Sequence, residues 1–296
     1  MKRNKLCLGT VKIGNPEYGF SSNCKPLEYT KILDESLRLG INSFDTSPRY
    51  DDSEIKLGRY FSKIKKKPFI STKIDNLSFG NKDTPKKMVE SIVKSIENLR
   101  VDAIDLCYLH QNQIGIISDK YVQNGITMLK EMELIRESGT SIYSDEELKY
   151  TMDSNFYDWV QVPINILDTS FYNKIINHKN PIKIAARSIF LQGIIFHESS
   201  IKKYIRNHHE LNDSIKKIKK IADDYGKDFR DLCAQYVFNL DHLSMIIFGS
   251  TSIDNINFIE ESSSKKLPDE LMTRINQISS SHKEWTNPRN WIKPNQ

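Results

Sequence analysis

No stretch of this 296-residue chain approaches the roughly 18 consecutive apolar residues that a membrane-spanning helix needs, so no membrane partner is expected. The basic start, Met1 to Lys5, is followed only by Leu6-Cys7-Leu8 before Gly9. A secretory h-region takes about 7–15 apolar residues, so a cytoplasmic protein is the expectation. Four cysteines, Cys7, Cys24, Cys107 and Cys233, form no CxxC pair and no metal-type spacing. Reduced, mostly buried thiols and no metal site follow. Gly9 and Gly14 do not make G-x-G-x-x-G, and no Gly-Lys-Ser/Thr phosphate loop exists anywhere. Low-complexity tracts, internal repeats and domain-scale linkers are missing as well. The net charge of +5 is mild, and lysines gather in separate runs at 63–67 and 216–220. Such runs read as solvated helix faces rather than a nucleic-acid stripe, and an anionic small substrate or cofactor suits the balance equally well.

What the chain does contain is a recurring unit, a short apolar run followed by an amphipathic helical pattern. The runs fall at 6–10, 42–45, 68–73, 102–110, 139–143, 159–163, 182–187 and 244–248. The first helical pattern covers 27–39 and stops at Gly40, and the second covers 53–64 with Ser53 as its N-cap. Thr84 reads as the cap of a third helix, with Pro85 in its first turn, running to Leu99. A fourth spans 122–136, and Ser144 with Glu147 three residues on makes a capping box for a fifth. Further helices start near 214, 229, 253 and 268. Eight strand–helix alternations imply a parallel sheet, because crossovers need helices. Eight in under 300 residues, without a Gly-rich phosphate turn, favour a closed (β/α)8 TIM barrel of the α/β class over an open sheet. A single domain over 1–296 is expected, with 267–296 a C-terminal helix and tail packed on the barrel.

Three residues then fall where a barrel would aim them at one mouth. Asp45 ends the second strand, Lys73 the third and His110 the fourth, and Tyr50 lies on the rim five residues past Asp45. A phenol has an ordinary pKa near 10, too high for easy deprotonation at pH 7. A neighbouring ammonium lowers it, and a carboxylate behind the lysine keeps that lysine charged and oriented. A histidine beside the phenol can direct a substrate carbonyl and help pass the proton. The set suits general acid–base work on carbonyl/alcohol interconversion. Singly, Asp45 reads as a loop former, Lys73 as a snorkelling side chain and His110 as a core histidine. Together, at consecutive strand ends, they read as a site.

The segment 40–58, with Phe44-Asp45-Thr46-Ser47, Tyr50 and Ser53-Glu54 before Leu57-Gly58, resembles the aldo-keto reductases. The resemblance continues through Ser71-Thr72-Lys73, Tyr108-Leu109-His110, Gly139-Thr140-Ser141, Gln161-Val162-Pro163-Ile164-Asn165, the stretch from Arg187 to Gly193, and Gly249-Ser250-Thr251-Ser252. The Arg187 to Gly193 stretch is similar to members found with bacterial sugar and polysaccharide genes. The resemblance implies a barrel that binds a nicotinamide dinucleotide and passes hydride to a carbonyl carbon while Tyr50 donates the proton. Lys73 would lower the Tyr50 pKa, Asp45 would pair with Lys73, and His110 would orient the carbonyl. For the cofactor, the resemblance implies Gly9, Thr10 and Asp45 at the mouth, and Ser141 and Gln161 on the carboxamide. Ser188, Phe190, Leu191, Gln192 and Gly193 belong to the implied pyrophosphate loop, and Gly249, Ser250, Thr251, Ser252 and Asn255 to the adenosine-phosphate segment.

The chain departs from the family pattern at several places. Ile142 stands where an Asn often follows the serine, and Arg187 where many members stack an aromatic ring on the nicotinamide; an Arg plane stacks too, and can meet a phosphate. Phe258 and Ile259 replace the usual Glu-Asn adenine contacts. No Lys or Arg stands at Gly249 or Asn255, where the 2′-phosphate of NADP is normally met. NADP(H) is therefore favoured by the resemblance and NAD(H) by the missing cation. Tyr18, Phe20, Gln111 and Trp285 are expected around a small-molecule carbonyl or alcohol, a sugar or sugar-derived aldehyde first; the tail tryptophans Trp285 and Trp291 equally suit pinning the terminus. Two other readings use the same residues: a Schiff-base aldolase with Lys73 as nucleophile, and a non-catalytic relative that binds the dinucleotide and regulates a partner.

Overall fold

The structure is a computed structural model and describes residues 5–19, 28–279 and 284–292. Eight strands close a barrel in chain order: β1 (Leu6–Gly9), β2 (Ser43–Asp45), β3 (Phe69–Ile74), β4 (Ile104–Leu109), β5 (Ile135–Ser141), β6 (Trp159–Pro163), β7 (Lys183–Arg187) and β8 (Leu243–Gly249). Every pairing is parallel, and β1 shuts the ring against β8, with Gly9 opposite both Asp45 and Gly249. This is the (β/α)8 barrel read from the alternation.

Strand alternation determines which residues reach the site. Cys7, Leu106, Tyr108, Trp159, Ala185, Met245 and Ile247 pack into one small cluster inside the ring. The residues between them, such as Leu8, Cys107, Val160, Ala186 and Ile246, join the much larger core shared with the helices, including Leu33, Leu57, Phe61, Met88 and Ile92. Side chains two apart share a face. Gly9, His110, Gln161, Arg187 and Gly249 each stand two residues beyond an inner-cluster member, so they continue the inward series at the strands' C-terminal ends. That end is where barrels carry their chemistry.

Several boundaries differ from the sequence pattern. The helix expected over 122–136 is Lys120–Glu131, and β5 starts at Ile135, four residues before the expected 139. Glu133 turns left-handed (φ 57°), and Ile135 is buried opposite Ile104 in the ladder; pairing overrides local helical pattern. Ser53 is not the N-cap: Asp52 holds that position and Ser53 is the first helical residue. Asp83 likewise displaces Thr84 as cap, while Pro85 stays in the first turn. The helix expected from 214 begins at His208. The Ser144/Glu147 capping box forms with both reciprocal bonds. Cys7, Cys107 and Cys233 are buried free thiols; Cys24 lies outside the described residues.

Gly58 marks a point of close approach. A Cβ there would stand 2.0 Å from the Asn98 carbonyl oxygen, where the helix Ser53–Phe61 crosses the helix Thr84–Leu99. Backbone cannot yield as a flexible side chain can, so Gly58→Ala should cost about 1–3 kcal/mol of stability. Urea unfolding measures this directly; an unchanged midpoint would contradict a close crossing of the two helices at Gly58.

Candidate active site

The loop that carries Tyr50 is tied to the barrel by a chain of hydroxyls. Thr46 Oγ1 donates to Ser53 Oγ (3.1 Å), Ser53 Oγ to Thr10 Oγ1 (2.9 Å), and Thr10 Oγ1 to the Asp45 carbonyl (3.0 Å). All four residues are buried. Gly14 closes the arrangement from the β1 side: a Cβ there would lie 1.8 Å from the Tyr50 carbonyl oxygen. Glu54, also buried, accepts from Thr72 Oγ1 (2.7 Å) and Asn98 Nδ2 (3.3 Å). The Tyr-x-x-Ser-Glu spacing is thus a clamp: Ser53 holds the β1 end, Glu54 holds β3, and Tyr50 is set above them.

Behind Tyr50 lies a buried ion pair. Lys73 Nζ is 2.6 Å from Asp45 Oδ2 and donates to the Thr46 carbonyl (2.7 Å). Asp45 Oδ1 accepts from Ser71 Oγ (2.9 Å) and Gln161 Nε2 (3.2 Å). Burial works against the Lys73 ammonium, but Asp45 and Tyr50 more than offset it, and its pKa ends above the ordinary lysine value. An amine held this firmly charged is a poor Schiff-base nucleophile. Lys73 Nζ lies 5.1 Å from the centre of the Tyr50 ring. Burial pushes the phenol up and Lys73 pulls it down; Asp45 adds to the rise, and the balance stays above the ordinary value. Lys73 pulls the phenol down, the direction the resemblance implies, and burial outweighs that pull. Tyr50 is protonated at neutral pH.

His110 stands edge-on to Tyr50, ring centres 6.4 Å apart. Its Nδ1 is 3.2 Å from Oδ2 of Asp75, a residue the sequence reading did not single out. Burial foremost holds the imidazole below the ordinary histidine pKa, with Asp75 pulling it back up.

From this point a cleft of about 410 Å³ runs over the ends of β1, β6, β7 and β8, a volume within the range of small-molecule sites. Gly9, Thr10, Asp45, Tyr50, Gln161, Arg187, Ser188, Phe190, Gln192, Gly193, Gly249, Ser250, Thr251 and Asn255 line it, as do Phe258 and Ile259. Ser141, Leu191 and Ser252 stand off the lining. Ser141 is buried and donates to Gln161 Oε1 (2.9 Å), Leu191 is in the core, and Ser252 caps the helix Ile253–Ser264 through the Asn255 N–H (3.2 Å). The loop after β7 is strained: Ser188, Leu191 and Gln192 take φ of 56°, 47° and 56°, followed by Gly193 at 92°. Left-handed backbone at non-glycine residues costs roughly 1–3 kcal/mol each and gathers at functional loops. Gln192 Nε2 reaches across the cleft to donate to Tyr18 Oη (2.9 Å).

The cleft holds cations that sequence order did not suggest. Lys12, Arg187 and Arg230 line it, against one carboxylate, Asp45, already paired with Lys73. Arg230 comes from the first turn of the helix Phe229–Asn239, donates to Asn255 Oδ1 (2.5 Å), and stacks 4.1 Å over the Phe258 ring. A cation does stand at the end of the cleft where Gly249 and Asn255 offered none. The glycines, the open cradle and this charge fit an elongated polyanionic ligand such as a nicotinamide dinucleotide.

On the substrate side the expected residues separate. Tyr18 lines the cleft and Phe20 lies outside the described residues. Gln111 is turned to the segment after β3, accepting from the Leu77 N–H and donating to the Leu77 carbonyl. Trp285 is buried in the core, its carbonyl taking the Trp291 indole N–H (2.7 Å), so these tryptophans anchor the tail. Thr286 Oγ1 donates to Asp168 (2.9 Å), and Arg289 Nη1 to Asn112 Oδ1 (2.9 Å). Asn112 in turn donates to the Ser141 carbonyl (2.7 Å). Tyr143 carries two guanidiniums, Arg187 at 3.9 Å and Arg289 at 4.2 Å from its ring centre.

Comparison with known proteins identifies the family. The family model described as "Aldo/keto reductase family" matches residues 5–280. The chain belongs to the aldo/keto reductase family, which makes it an oxidoreductase of the carbonyl/alcohol class. It is similar to an uncharacterised oxidoreductase of Bacillus subtilis, YqkF, at 25% identity over 91% of this chain and 94% of that one. It is also similar to D-arabinose 1-dehydrogenase of Saccharomyces cerevisiae, at 24% identity over 79% and 75%. Among solved structures, a glycerol dehydrogenase from Gluconobacter oxydans superposes with a TM-score of 0.71, at 19% identity over 94% and 93% of the two chains. A variant of Gox0644 crystallised with NADPH gives 0.69, at 16% identity over 97% and 93%. Among the described residues no helix is long and apolar enough to cross a membrane, and no cluster of His, Cys, Asp and Glu could hold a metal ion.

Proposed function

We propose that this chain interconverts a carbonyl and an alcohol with NADP(H), with Tyr50 as the proton-transferring group. The observation that carries the reading is the buried Lys73–Asp45 pair beneath a protonated phenol at the head of a cationic cleft. The bound nicotinamide would supply or receive the hydride. Tyr50 donates its proton to the substrate oxygen; Lys73 stabilises the phenolate left behind; Asp45 keeps Lys73 charged and fixed in direction. Gln161 would meet the carboxamide, with Ser141 behind it holding its side-chain oxygen. The strained 188–193 loop and Ser250 hold phosphate oxygens, and Asn255 with Arg230 stands at the adenosine end. The sugar and polyol dehydrogenases among its relatives support a polyhydroxy substrate, and Tyr18 at the cleft wall suits one.

Two measurements test this. Tyr50→Phe removes only the hydroxyl, so turnover should fall at least ~10²-fold while NADPH affinity, read by fluorescence titration, stays within a few fold. Retained turnover would remove Tyr50 from the reaction, and failure of the native protein to bind NADPH or NADH would end the reading altogether. For cofactor choice, Arg230→Gln keeps the helix but deletes the charge. NADPH should bind on the order of tenfold or more weakly, with NADH affinity unchanged, the loss of a charge-assisted bond. Equal effects on both cofactors would contradict a phosphate role for Arg230.

A further inference from the structure

We infer that Arg187 and Arg289, both packed on the ring of Tyr143, form an anion subsite beside Tyr50, and that the substrate is an acidic sugar or polyol carrying a carboxylate or phosphate. This rests on the reductase reading above and names the substrate class of that same site. Tyr143 is a positioning residue here, acting through the two guanidiniums it carries.

Arg187 turns from the end of β7 to the segment after β5. Its Nη2 donates to the Ile142 carbonyl (2.9 Å) and its Nη1 to Ser188 Oγ (3.3 Å), and its guanidinium carbon lies 3.9 Å from the Tyr143 ring centre. One face of its plane is therefore already taken. Arg289 reaches the same ring from the tail, 4.2 Å from the centre. That tail is fixed in place: Thr286 is bonded to Asp168, and Asn287 Oδ1 accepts the Arg289 N–H (3.0 Å). Arg289 Nη1 is held in turn by Asn112, a buried residue bonded to the Ser141 carbonyl. Both cations are oriented before a ligand arrives, which lowers the ordering cost of binding one.

Two like charges sharing one ring repel each other, and the π face offsets only part of that repulsion. An arginine so placed is ordinarily matched by a carboxylate. Among the described residues, each side-chain bond that these two make ends on a neutral oxygen, and neither forms an ion pair with Asp or Glu. Residues 1–4, 20–27, 280–283 and 293–296 contain no Asp or Glu at all. The one carboxylate lining the cleft, Asp45, is held by Lys73. A guanidinium carries more N–H donors than these bonds use, in a fork that fits a carboxylate or phosphate. In the reading above the dinucleotide phosphates fall to the 188–193 loop, Ser250 and Arg230, which leaves this pair to the substrate. The stack also opens on the reacting corner, since Arg187 lines the cleft together with Tyr18 and Tyr50. Burial foremost, then the Tyr143 and Tyr50 phenols, push the Tyr18 pKa up, and Arg187 pulls it down. Tyr18 Oη accepts from Gln192, so its own O–H is left for a substrate hydroxyl. An acidic sugar would meet Tyr50 at its carbonyl, Tyr18 along its hydroxyls and the arginines at its anionic end.

Calorimetric titration with D-arabinitol, D-arabinonate and D-arabinitol 5-phosphate tests this, because NADPH reduces none of the three. With NADPH present, the native protein should bind at least one anionic probe on the order of tenfold or more tightly than D-arabinitol. The carboxylate and phosphate probes tell the two anionic groups apart. Arg187→Gln and Arg289→Gln should each remove most of that preference. Tyr143→Leu should remove it too, with folding checked by circular dichroism, whereas Tyr143→Phe keeps the ring face and should keep the preference. Equal binding of all three probes by the native protein, or a preference that survives either arginine substitution, overturns the inference. A preference that NADPH abolishes also overturns it, because the anion would then have occupied the dinucleotide's own phosphate positions. An anionic preference that depends on both arginines, in a protein that binds neither NADPH nor NADH, overturns the reductase reading instead.

Discussion

The Lys73 ammonium and Asp45 carboxylate sit 2.6 Å apart with 2% and 6% of their side chains exposed. Leaving either charge buried without the other costs roughly 3–5 kcal/mol, so each dictates the presence of the other. The barrel makes the pairing possible: Asp45 ends β2, Lys73 lies near the end of β3, and the two strands are ladder neighbours. Remaining lone pairs and protons are then consumed locally. Ser71 and Gln161 donate to Asp45, and Thr46 accepts from Lys73. The outcome is a fixed positive charge at the base of the cleft, turned to the one phenol that the Ser53 and Gly14 contacts hold above it.

Around this pair, burial sets the protonation of everything else. It raises Tyr50 and lowers His110, favouring a protonated phenol beside a neutral imidazole. Groups whose environments push their pKa values apart divide acid from base roles. The cationic cleft beyond them, with Lys12, Arg187 and Arg230 set against the single paired carboxylate Asp45, adds a field that draws a polyanionic ligand along the strand ends.

Much of this was legible in the chain itself, for a physical reason. Strand ends carry a two-residue period and adjacent motifs, so Asp45, Tyr50, Lys73 and His110 announce themselves within short windows. The barrel follows from counting alternations. The rest depends on contacts between distant segments. Arg230 meets Asn255 from another helix, 25 residues away, and Arg289 reaches Asn112 across 177 residues. A linear search for a cation at Gly249 or Asn255 could not find a charge delivered by a neighbouring element. Asp75 was closer at hand, two residues past Lys73, but its value depends on the His110 ring being within reach. For Tyr50 the neighbouring charge was readable in the chain, and the burial that outweighs its pull was not.

The central claim is that Asp45 acts through Lys73 rather than beside it, and a double-mutant cycle on turnover addresses it most directly. Asp45→Asn, Lys73→Met and the double variant are compared at saturating cofactor, with folding checked by circular dichroism. If the carboxylate works only by charging and aiming the lysine, the double variant should be no slower than Lys73→Met alone, a strongly non-additive result. Losses that multiply across the two substitutions would mean that Asp45 and Lys73 contribute separately, contradicting the account.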